Sequence, residues 1–347
     1  MCLVSHLVET WHKMTLIKNI TFRNPIIYYG GFFLLCCLSF VYSFGVGVSE
    51  IGFSEVWLCV SQQCSSVIYE TILWQVRLPR VILGFIAGFG LAVAGALMQN
   101  VTRNPLADPY LFGIVAGAGL GATVASLLPE AFHYFSIPFA AFFGALFAVV
   151  VVLGVVVRNN WRRVEHLLLA GVAVSFLLSS LTNFILYTGD AFSTNRVIFW
   201  LMGSLARADQ TVLWIIVPVV LVSSCIAILW SRQLDALLLS DESARTLGVQ
   251  VAKLRILVLL LCAAMTAVIV AYCGGIGFVG LMIPHIVRAL IGITTAKLIV
   301  GSGLVGGCFL IWVDVVARSA LDGQEIPIGV ITSAVGSVFF LLLMRKM

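Results

Sequence analysis

Charged residues are scarce in this sequence. Asp, Glu, Lys and Arg together make up 10% of the 347 residues, whereas hydrophobic residues make up 61%. One soluble core cannot bury that much apolar surface, so the composition excludes a soluble globular protein and indicates a polytopic membrane protein. The formal net charge is +5, but the basic residues are scattered between apolar runs and form no patch for nucleic acid.

The sequence also lacks the common signatures of catalysis. No lysine follows a glycine, so there is no Walker A loop, and the chain cannot hold ATP phosphates in that way. Neither HExxH, typical of metalloproteases, nor GxSxG, typical of serine hydrolases, occurs. His166 and His285 are single histidines near the same predicted membrane face. We therefore expect no catalytic residue, no metal site and no cofactor in this chain.

Apolar runs of membrane-spanning length recur along the whole chain. We predict ten spans, at about residues 25–46, 77–101, 110–128, 137–157, 166–187, 211–230, 256–273, 276–291, 298–317 and 327–344. Pro284-His285 should interrupt the eighth span, and the fragment Phe199 to Leu205 is too short to cross. The predicted fold class is all-α, with a leader at residues 1–24 and a membrane domain at 25–347.

The distribution of Lys and Arg predicts an orientation. Residues 48–74 contain neither, so the positive-inside rule places them outside and both termini in the cytoplasm. The protein is then a multi-pass protein of the cytoplasmic membrane, surrounded by lipid. The basic residues left outside are Arg77, Arg80, Arg196, Arg207 and Arg318.

One long polar segment with helical character, residues 232–255, lies between the sixth and seventh spans. Ser240 is suited to an N-cap, Asp241 and Glu242 to the following first turn, and Gly248 to a left-handed stop. The pattern predicts two short cytoplasmic helices with a bend at Ser240. Such a pair is typical of a docking site for a partner, and a solvated loop is the alternative.

Two pairs of residues on the outer side allow two interpretations each. Cys59 and Cys64 share the outer loop, where an oxidising compartment favours a disulfide, and two free thiols are the alternative. Asp314 and Arg318 are four residues apart on one predicted helix, which favours a local ion pair as much as a docking role for Arg318.

Six motifs occur in a fixed order from Trp74 to the C-terminus. They are Trp74 to Arg80 (WQVRLPR), Asn104 to Pro109 (NPLADP), Leu167 to Gly171 (LLLAG), Ser243 to Gly248 (SARTLG), Gly277 to Leu281 (GFVGL) followed by Pro284-His285, and Glu325 to Gly329 (EIPIG). With these motifs the sequence resembles the permease subunits of ABC importers for iron-siderophore, haem and cobalamin, the FecCD family.

The resemblance implies a ten-helix subunit that pairs with a second copy or a close paralogue. Two ATPase subunits, which bind ATP and Mg, dock beneath the pair, and a separate substrate-binding protein docks from outside. By analogy the ATPase contacts are Ser240, Glu242, Ala244, Arg245, Leu247 and Gly248. The translocation path or gate includes Asn104, Pro105, Leu106, Pro284, His285, Pro327 and Gly329. The binding protein contacts Arg77, Arg80 and Arg318, which we expect to form an exposed outer cluster.

The predicted function is import of an iron chelate, siderophore or haem, with cobalamin as the alternative cargo. Ionisable groups are almost absent from the spans, which disfavours a secondary transporter. Two positions depart from the family pattern. Val164-Glu165-His166 replaces small hydroxyl residues at the inner gate, and Gly336-Ser337-Val338 replaces Gly-x-Pro, so the gate residues and the shape of the tenth span stay open.

Overall fold

The structure is a computed structural model that describes residues 25–47, 51–128, 133–158, 164–321 and 323–345. The predicted leader, residues 1–24, lies outside the described residues. All regular secondary structure within the described ranges is helical, which confirms the predicted all-α class.

Fifteen α-helices, numbered in chain order, run through the described residues. They are α1 Pro25–Gly45, α2 Phe53–Val60, α3 Val67–Thr71, α4 Leu78–Thr102, α5 Ile114–Ser126, α6 His133–Arg158, α7 Val164–Thr188, α8 Ala191–Leu201, α9 Gln210–Leu229, α10 Ser231–Leu239, α11 Asp241–Thr246, α12 Val251–Cys273, α13 Val279–Ile291, α14 Thr295–Ser319 and α15 Ile328–Met344.

Ten of these elements form the bundle. Among the described residues, seven helices are long and apolar enough to cross a membrane, and α5, α13 and α15 are shorter apolar helices. We call the end that carries α10 and α11 the lower end, and the end where α1 stops and α4 starts the upper end. In the continuous helix Val67–Thr102, 83% of the most apolar 18-residue stretch is buried. The corresponding buried share in α7 is 28%. The second span is therefore the centre of the subunit, and α7 lies at its edge.

Glycines bring the central helices together. A Cβ on Gly88 of α4 would collide with the backbone of Gly306 in α14, and a Cβ on Gly117 of α5 would collide with the backbone of Gly144 in α6. The four-residue glycine spacing in the sequence predicts such close packing, and the structure confirms it.

The second span begins earlier than predicted. Helix runs from Val67 through a π turn at Ile72–Arg77 into α4, so Arg77 and Pro79 lie inside the helix and not at its start. The Leu78 N–H donates to Leu73 O, and this wider turn lets the helix pass Pro79, which has no N–H of its own.

The interruption expected at Pro284 is wrong, because α13 is continuous from Val279 to Ile291. Proline removes the N–H that would bond to the carbonyl of Gly280. Gln99 of α4 replaces that donor, with its Nε2 3.2 Å from Gly280 O. A side chain from another helix thus supplies the missing hydrogen bond of α13. A local sequence pattern does not reveal such a contact.

Two other elements differ in their bounds. The third span starts as a 3-10 turn at Pro109–Phe112, and α5 follows only after Gly113, whose φ is +74°. The short helix that does not cross is α8, at Ala191–Leu201, where Asp190 accepts hydrogen bonds from the first turn. The prediction had centred it on residues 199–205.

The tenth span is a continuous helix, in which Gly336 packs against Phe278.

Candidate functional site

The helix pair at the lower end has the predicted local structure. Ser240 is extended, with φ −166° and ψ 163°, and its Oγ accepts a hydrogen bond from Ser243 N at 2.9 Å. Asp241 and Glu242 occupy the first turn of α11, and Gly248 has φ +80°. The predicted N-cap, bend and left-handed stop are confirmed.

The exposed side chains of this pair define a surface. Leu239 and Leu247 are 73% and 67% exposed, and Glu242 and Arg245 are exposed beside them. We call these four residues the lower docking surface. Ala244, expected to contact the ATPase, is fully buried within the chain. Ala244 lies on the face of α11 that packs against the bundle, so its side chain is not part of this surface, and its contact with the ATPase stays a prediction.

An ionic group holds α11 to the bundle. Asp241 accepts two hydrogen bonds from Arg255 of α12, at 3.0 and 2.8 Å, and also pairs with Arg103. Burial raises the pKa of Asp241, but the two guanidiniums outweigh it, so the pKa lies below the ordinary value for aspartate. We call Arg103, Asp241 and Arg255 the lower cluster.

A second set of hydrogen bonds connects α10 with three helices of the bundle, α4, α13 and α14. Asp235 accepts from Thr295 N at 2.8 Å, at the start of α14. Thr295 Oγ1 accepts from Asn100 of α4, and Arg288 of α13 donates to Asn100 Oδ1. The sequence analysis missed these residues, and no motif marks Asn100 or Thr295.

The turn after α4 places the predicted gate residues Asn104, Pro105 and Leu106 beside the lower cluster. Asn104 Oδ1 accepts from Leu106 N at 2.9 Å, which fixes a local turn. Pro105 and Leu106 are exposed, and Leu106 is 59% exposed. Arg103, directly before the turn, is left-handed with φ 50°.

The other predicted path residues have packing roles in the structure. Pro284 is buried in α13, and the His285 ring lies 6.1 Å from the ring of Phe339 in α15. Gly329, two residues after Pro327, donates its N–H to Met202 O at 2.9 Å, and a Cβ there would collide with that carbonyl oxygen. The side chains of Val164 and Glu165, at the position predicted for the inner gate, lie outside the described residues.

A cavity of about 300 Å³ lies between α5, α7 and α8. Its lining residues include Tyr110, Ser175, Ser179, Thr182, Asn183 and Leu201. The four polar residues of α7 follow helical spacing and share one face. Ser175 and Thr182 donate to carbonyls one turn back, so the lone pairs of their hydroxyl oxygens can still accept. The sequence analysis missed this site, although polar residues at helical spacing in an apolar run were a usable signal.

The three upper arginines are not exposed, contrary to expectation. Arg77, Arg80 and Arg318 are 4%, 8% and 5% exposed. Arg80 donates two hydrogen bonds to Glu325, at 2.7 and 2.9 Å, and its Nε donates to Asp314 at 2.9 Å. The predicted exposed cluster is wrong because carboxylates of the same chain neutralise the guanidiniums inside the subunit.

Arg318 and Arg77 also hold the end of α1. Arg318 lies 3.2 Å from Asp314, so the predicted local ion pair is present, and it donates to Ser43 O at 2.8 Å. Arg77 donates to Gly45 O at 2.8 Å. These carbonyls belong to the last turn of α1 and have no partner within their own helix. We call Arg77, Arg80, Asp314, Arg318 and Glu325 the upper cluster.

Cysteines form two close pairs. The structure joins Cys59, in the last turn of α2, and Cys64, between α2 and α3, in a disulfide. Cys36 Sγ of α1 and Cys308 Sγ of α14 lie 2.7 Å apart in the core, and neither sulfur belongs to a disulfide.

Comparison with known proteins decides the family. The model of the FecCD transport family matches residues 35–346, nearly the whole chain. The chain belongs to the FecCD transport family.

Several relatives of this FecCD permease have names that give different cargoes. The hemin transport permease HmuU of Yersinia pestis is 34% identical over 93% of the chain and 96% of its own length. The Fe(3+)-citrate import permease YfmD of Bacillus subtilis is 35% identical over 90% of the chain and 94% of its own length. The cobalamin import permease BtuC of Halobacterium salinarum is 39% identical over 80% of the chain and 74% of its own length.

A solved structure gives the same architecture. An inward-facing conformation of an ABC transporter of the metal-chelate type matches with a TM-score of 0.82 and 32% identity, over 93% of this chain and all of that one. This FecCD permease is therefore a multi-pass membrane subunit of an ABC importer and not an enzyme. ATP is bound by a partner ATPase, and delivery of cargo requires a binding-protein partner.

Proposed function

We propose that this FecCD permease carries an iron chelate, a siderophore complex or haem, across the cytoplasmic membrane. Relatives named for hemin and Fe(3+)-citrate support this, and the relative named for cobalamin supplies the alternative. The cavity beside α7 supports a path for a polar chelate, because hydroxyls and an amide bind weakly enough for the cargo to leave again.

Uptake by cells that express the complete importer tests the cargo. Iron-55 complexes of several siderophores, iron-55 haem and cobalt-57 cobalamin are compared in a strain without its own importers. Energy-dependent accumulation of an iron chelate supports the proposal. Accumulation of cobalamin alone would assign the other cargo.

We infer that a second copy packs against α7. Its polar face lines the cavity, and its remaining surface carries exposed apolar side chains that include Leu169, Phe176 and Phe184. Native mass spectrometry of the complex counts the permease copies. Phe176→Glu should weaken the pairing, whereas Phe143→Glu on α6, also exposed, is the matched control for insertion.

We propose that the ATPase docks on the lower docking surface. Leu239 and Leu247 present apolar anchors, flanked by Glu242 and Arg245 of opposite charge. Ser240 and Gly248 fix the two ends of α11 by their backbone conformation. The contacts proposed here exclude Ala244, since its side chain is buried.

Leu247→Asp tests this surface. A charge in an apolar docking cleft leaves a buried polar group without a partner, which costs about 1 to 3 kcal/mol, or about 5-fold to 140-fold in affinity. Gln250→Asp, an exposed position before α12, adds the same charge as a control. Capture of the ATPase by the detergent-solubilised permease is measured. Equal capture of the ATPase by both variants would show that Leu247 does not lie in the interface.

We propose that the upper end faces outward, that both termini are cytoplasmic, and that residues 25–347 form one membrane domain after a leader. The scarcity of basic residues in 48–74 supports this orientation. Membrane-impermeant thiol labelling of Ser65→Cys and Gln250→Cys in intact cells tests it. Labelling of Gln250→Cys alone would show that the protein has the opposite orientation.

Docking of the binding protein on the upper cluster requires an exchange of partners. The guanidinium of Arg80 already binds Glu325, whose side chain is 36% exposed. A partner carboxylate therefore has to displace Glu325 to reach Arg80, and Arg77 and Arg318 would support it from below. Glu325→Gln should strengthen capture of the binding protein at low salt, whereas Glu55→Gln, an exposed carboxylate of the same end, should not. Unchanged capture in both variants would remove Arg80 from the interface.

A further inference from the structure

We infer that Asp241 is a positioning residue that couples movement of α11 to the gate turn at Asn104–Leu106 through Arg103. The inference rests on the proposed docking of an ATPase on the lower docking surface and on the gate role that the family resemblance predicts for this turn. It assigns to Asp241, Arg103 and Arg255 a role that the docking surface does not include, because their function lies on the side of α11 that faces the bundle.

Arg103 connects the two elements directly. It is the residue before Asn104, so the peptide bond transmits any displacement of its backbone to the turn. Its Nε donates to Leu237 O of α10 at 2.6 Å, and its terminal nitrogen pairs with Asp241 at the start of α11. One side chain thus contacts both helices of the pair.

The backbone of Arg103 is held in an uncommon conformation. Its φ of 50° is left-handed, a region that residues with a Cβ seldom adopt. The two contacts of its guanidinium oppose relaxation of this conformation. When they change, the backbone at Arg103 gains freedom, and the exposed Leu106 moves with it.

The helix pair contains a fixed part and a movable part. In α10, Leu234 and Leu237 are fully buried, and Asp235 accepts a hydrogen bond from the start of α14, so this helix is bound to the bundle. In α11, only Ala244 is fully buried, and the extended Ser240 separates it from α10. Docking on α11 can therefore rotate it about Ser240, and such a rotation turns the Asp241 carboxylate, next to that bend, relative to Arg103.

Arg255 gives Asp241 a second binding partner. Its two terminal nitrogens donate to the two oxygens of Asp241, while Arg103 approaches the same carboxylate from another side. A small rotation of α11 can weaken one contact while the other persists. The exposed fractions of 32% for the Asp241 side chain and 35% for the Arg103 side chain keep water close to this contact, so its exchange leaves no bare charge in the core. The Arg255 side chain is only 13% exposed, so its contact with Asp241 is the one that persists.

The test measures movement of the gate turn without any cargo. The permease with Leu106→Cys is reconstituted with its ATPase in lipid nanodiscs, and the rate of maleimide labelling at residue 106 is followed with and without ATP and vanadate. The other cysteines give a background that the protein with Leu106 intact measures. We expect ATP to change the labelling rate at least about fivefold, the lower limit for a typical allosteric coupling.

Asp241→Asn and Arg103→Gln should each reduce that ATP effect to less than about twofold while capture of the ATPase stays normal. Because both changes remove the same contact between Arg103 and Asp241, the double variant should lose less of the ATP effect than the product of the two single losses. Arg103→Lys, which keeps the charge but loses the planar fork, should give an intermediate effect. Lys253→Gln removes a positive charge from the exposed side of α12 and should keep the full effect.

Two results would overturn the inference. One is a full ATP effect on labelling in Asp241→Asn. The other is a double variant, Asp241→Asn with Arg103→Gln, whose reduction of the ATP effect equals the product of the two single reductions. Failure of the docking proposal looks different, because Leu247→Asp would then capture ATPase normally. If Asp241→Asn or Arg103→Gln folds poorly, the ATP effects in Arg103→Lys and Lys253→Gln still test the inference, since both of these changes are mild. Equal ATP effects in these two variants would contradict it.

Discussion

The two ends of this permease use the same arrangement of charges for different purposes. In the upper cluster Asp314 lies between Arg80 and Arg318, and in the lower cluster Asp241 lies between Arg103 and Arg255. The side chain of Asp314 is 2% exposed, whereas that of Asp241 is 32% exposed. Burial, and not the identity of the residues, separates the two clusters.

The physical consequence of burial is large. A buried charge that loses its partner keeps its desolvation penalty and gains nothing in return. A half-exposed charge that loses its partner is solvated by water and screened by salt. The buried contacts of the upper cluster, which do not include that of the partly exposed Glu325, therefore hold α1, α4 and α14 together. In the lower cluster the contact between Asp241 and Arg103 is free to exchange. Four experiments test this difference between the two ends.

The largest effect is expected for Asp314→Asn. It leaves Arg80 and Arg318 buried with one carboxylate fewer, which should lower the free energy of unfolding by about 3 to 5 kcal/mol. Thermal melting of the protein in detergent, together with the yield of monodisperse protein, measures the loss. Asp241→Asn is the matched change in the lower cluster. Equal losses in the two variants would refute the distinction drawn from burial.

A smaller effect is expected for Arg318→Gln. It removes charge-assisted hydrogen bonds to Ser43 and Val46 at the end of α1. Because Asp314 keeps Arg80 as its partner, we expect a loss of about 1.5 to 3 kcal/mol in total. Hydrogen exchange measured by mass spectrometry should rise at residues 43–47. Arg345→Gln, an exposed arginine at the end of α15, should leave that segment unchanged. Protection retained in Arg318→Gln would show that packing alone holds α1.

The disulfide at the upper end should contribute about 2 kcal/mol, since it closes a loop of only a few residues. Alkylation without reductant followed by mass spectrometry should find Cys59 and Cys64 unmodified. The double change of both cysteines to serine should lower the melting temperature modestly, and Cys37→Ser, at an exposed free cysteine, should not. Alkylation of both thiols in protein from oxidising conditions would contradict the bond.

The smallest effect on stability is expected for Asp241→Asn, under about 1 kcal/mol. The arginines lower the pKa of Asp241 in the folded protein, so its contribution is present above the ordinary aspartate value of about 3.9 and disappears as pH falls through the lowered value. The melting temperatures of wild type and variant should therefore differ slightly at pH 5 to 8 and converge as pH falls below the ordinary aspartate value. A difference that grows on acidification would contradict this assignment.

Local signals in the sequence predicted local structure well. The N-cap at Ser240 and the stop at Gly248 depend on residues within one turn, and the structure confirms both. The ten apolar runs and the glycine contacts followed from composition and spacing. The break expected at Pro284 failed because its repair comes from Gln99, a residue distant in the chain.

The sequence by itself determined that this chain is a helical membrane protein of the FecCD type, because hydrophobic length, capping and motif order are properties of neighbouring residues. Only the tertiary structure decided which of its charges are buried. Arg80 is 245 residues from Glu325 in the chain, and Arg103 is 138 residues from Asp241. Exposure depends on which helices meet in space. The same Arg–Asp–Arg arrangement is therefore a fixed support at one end and a proposed moving link at the other.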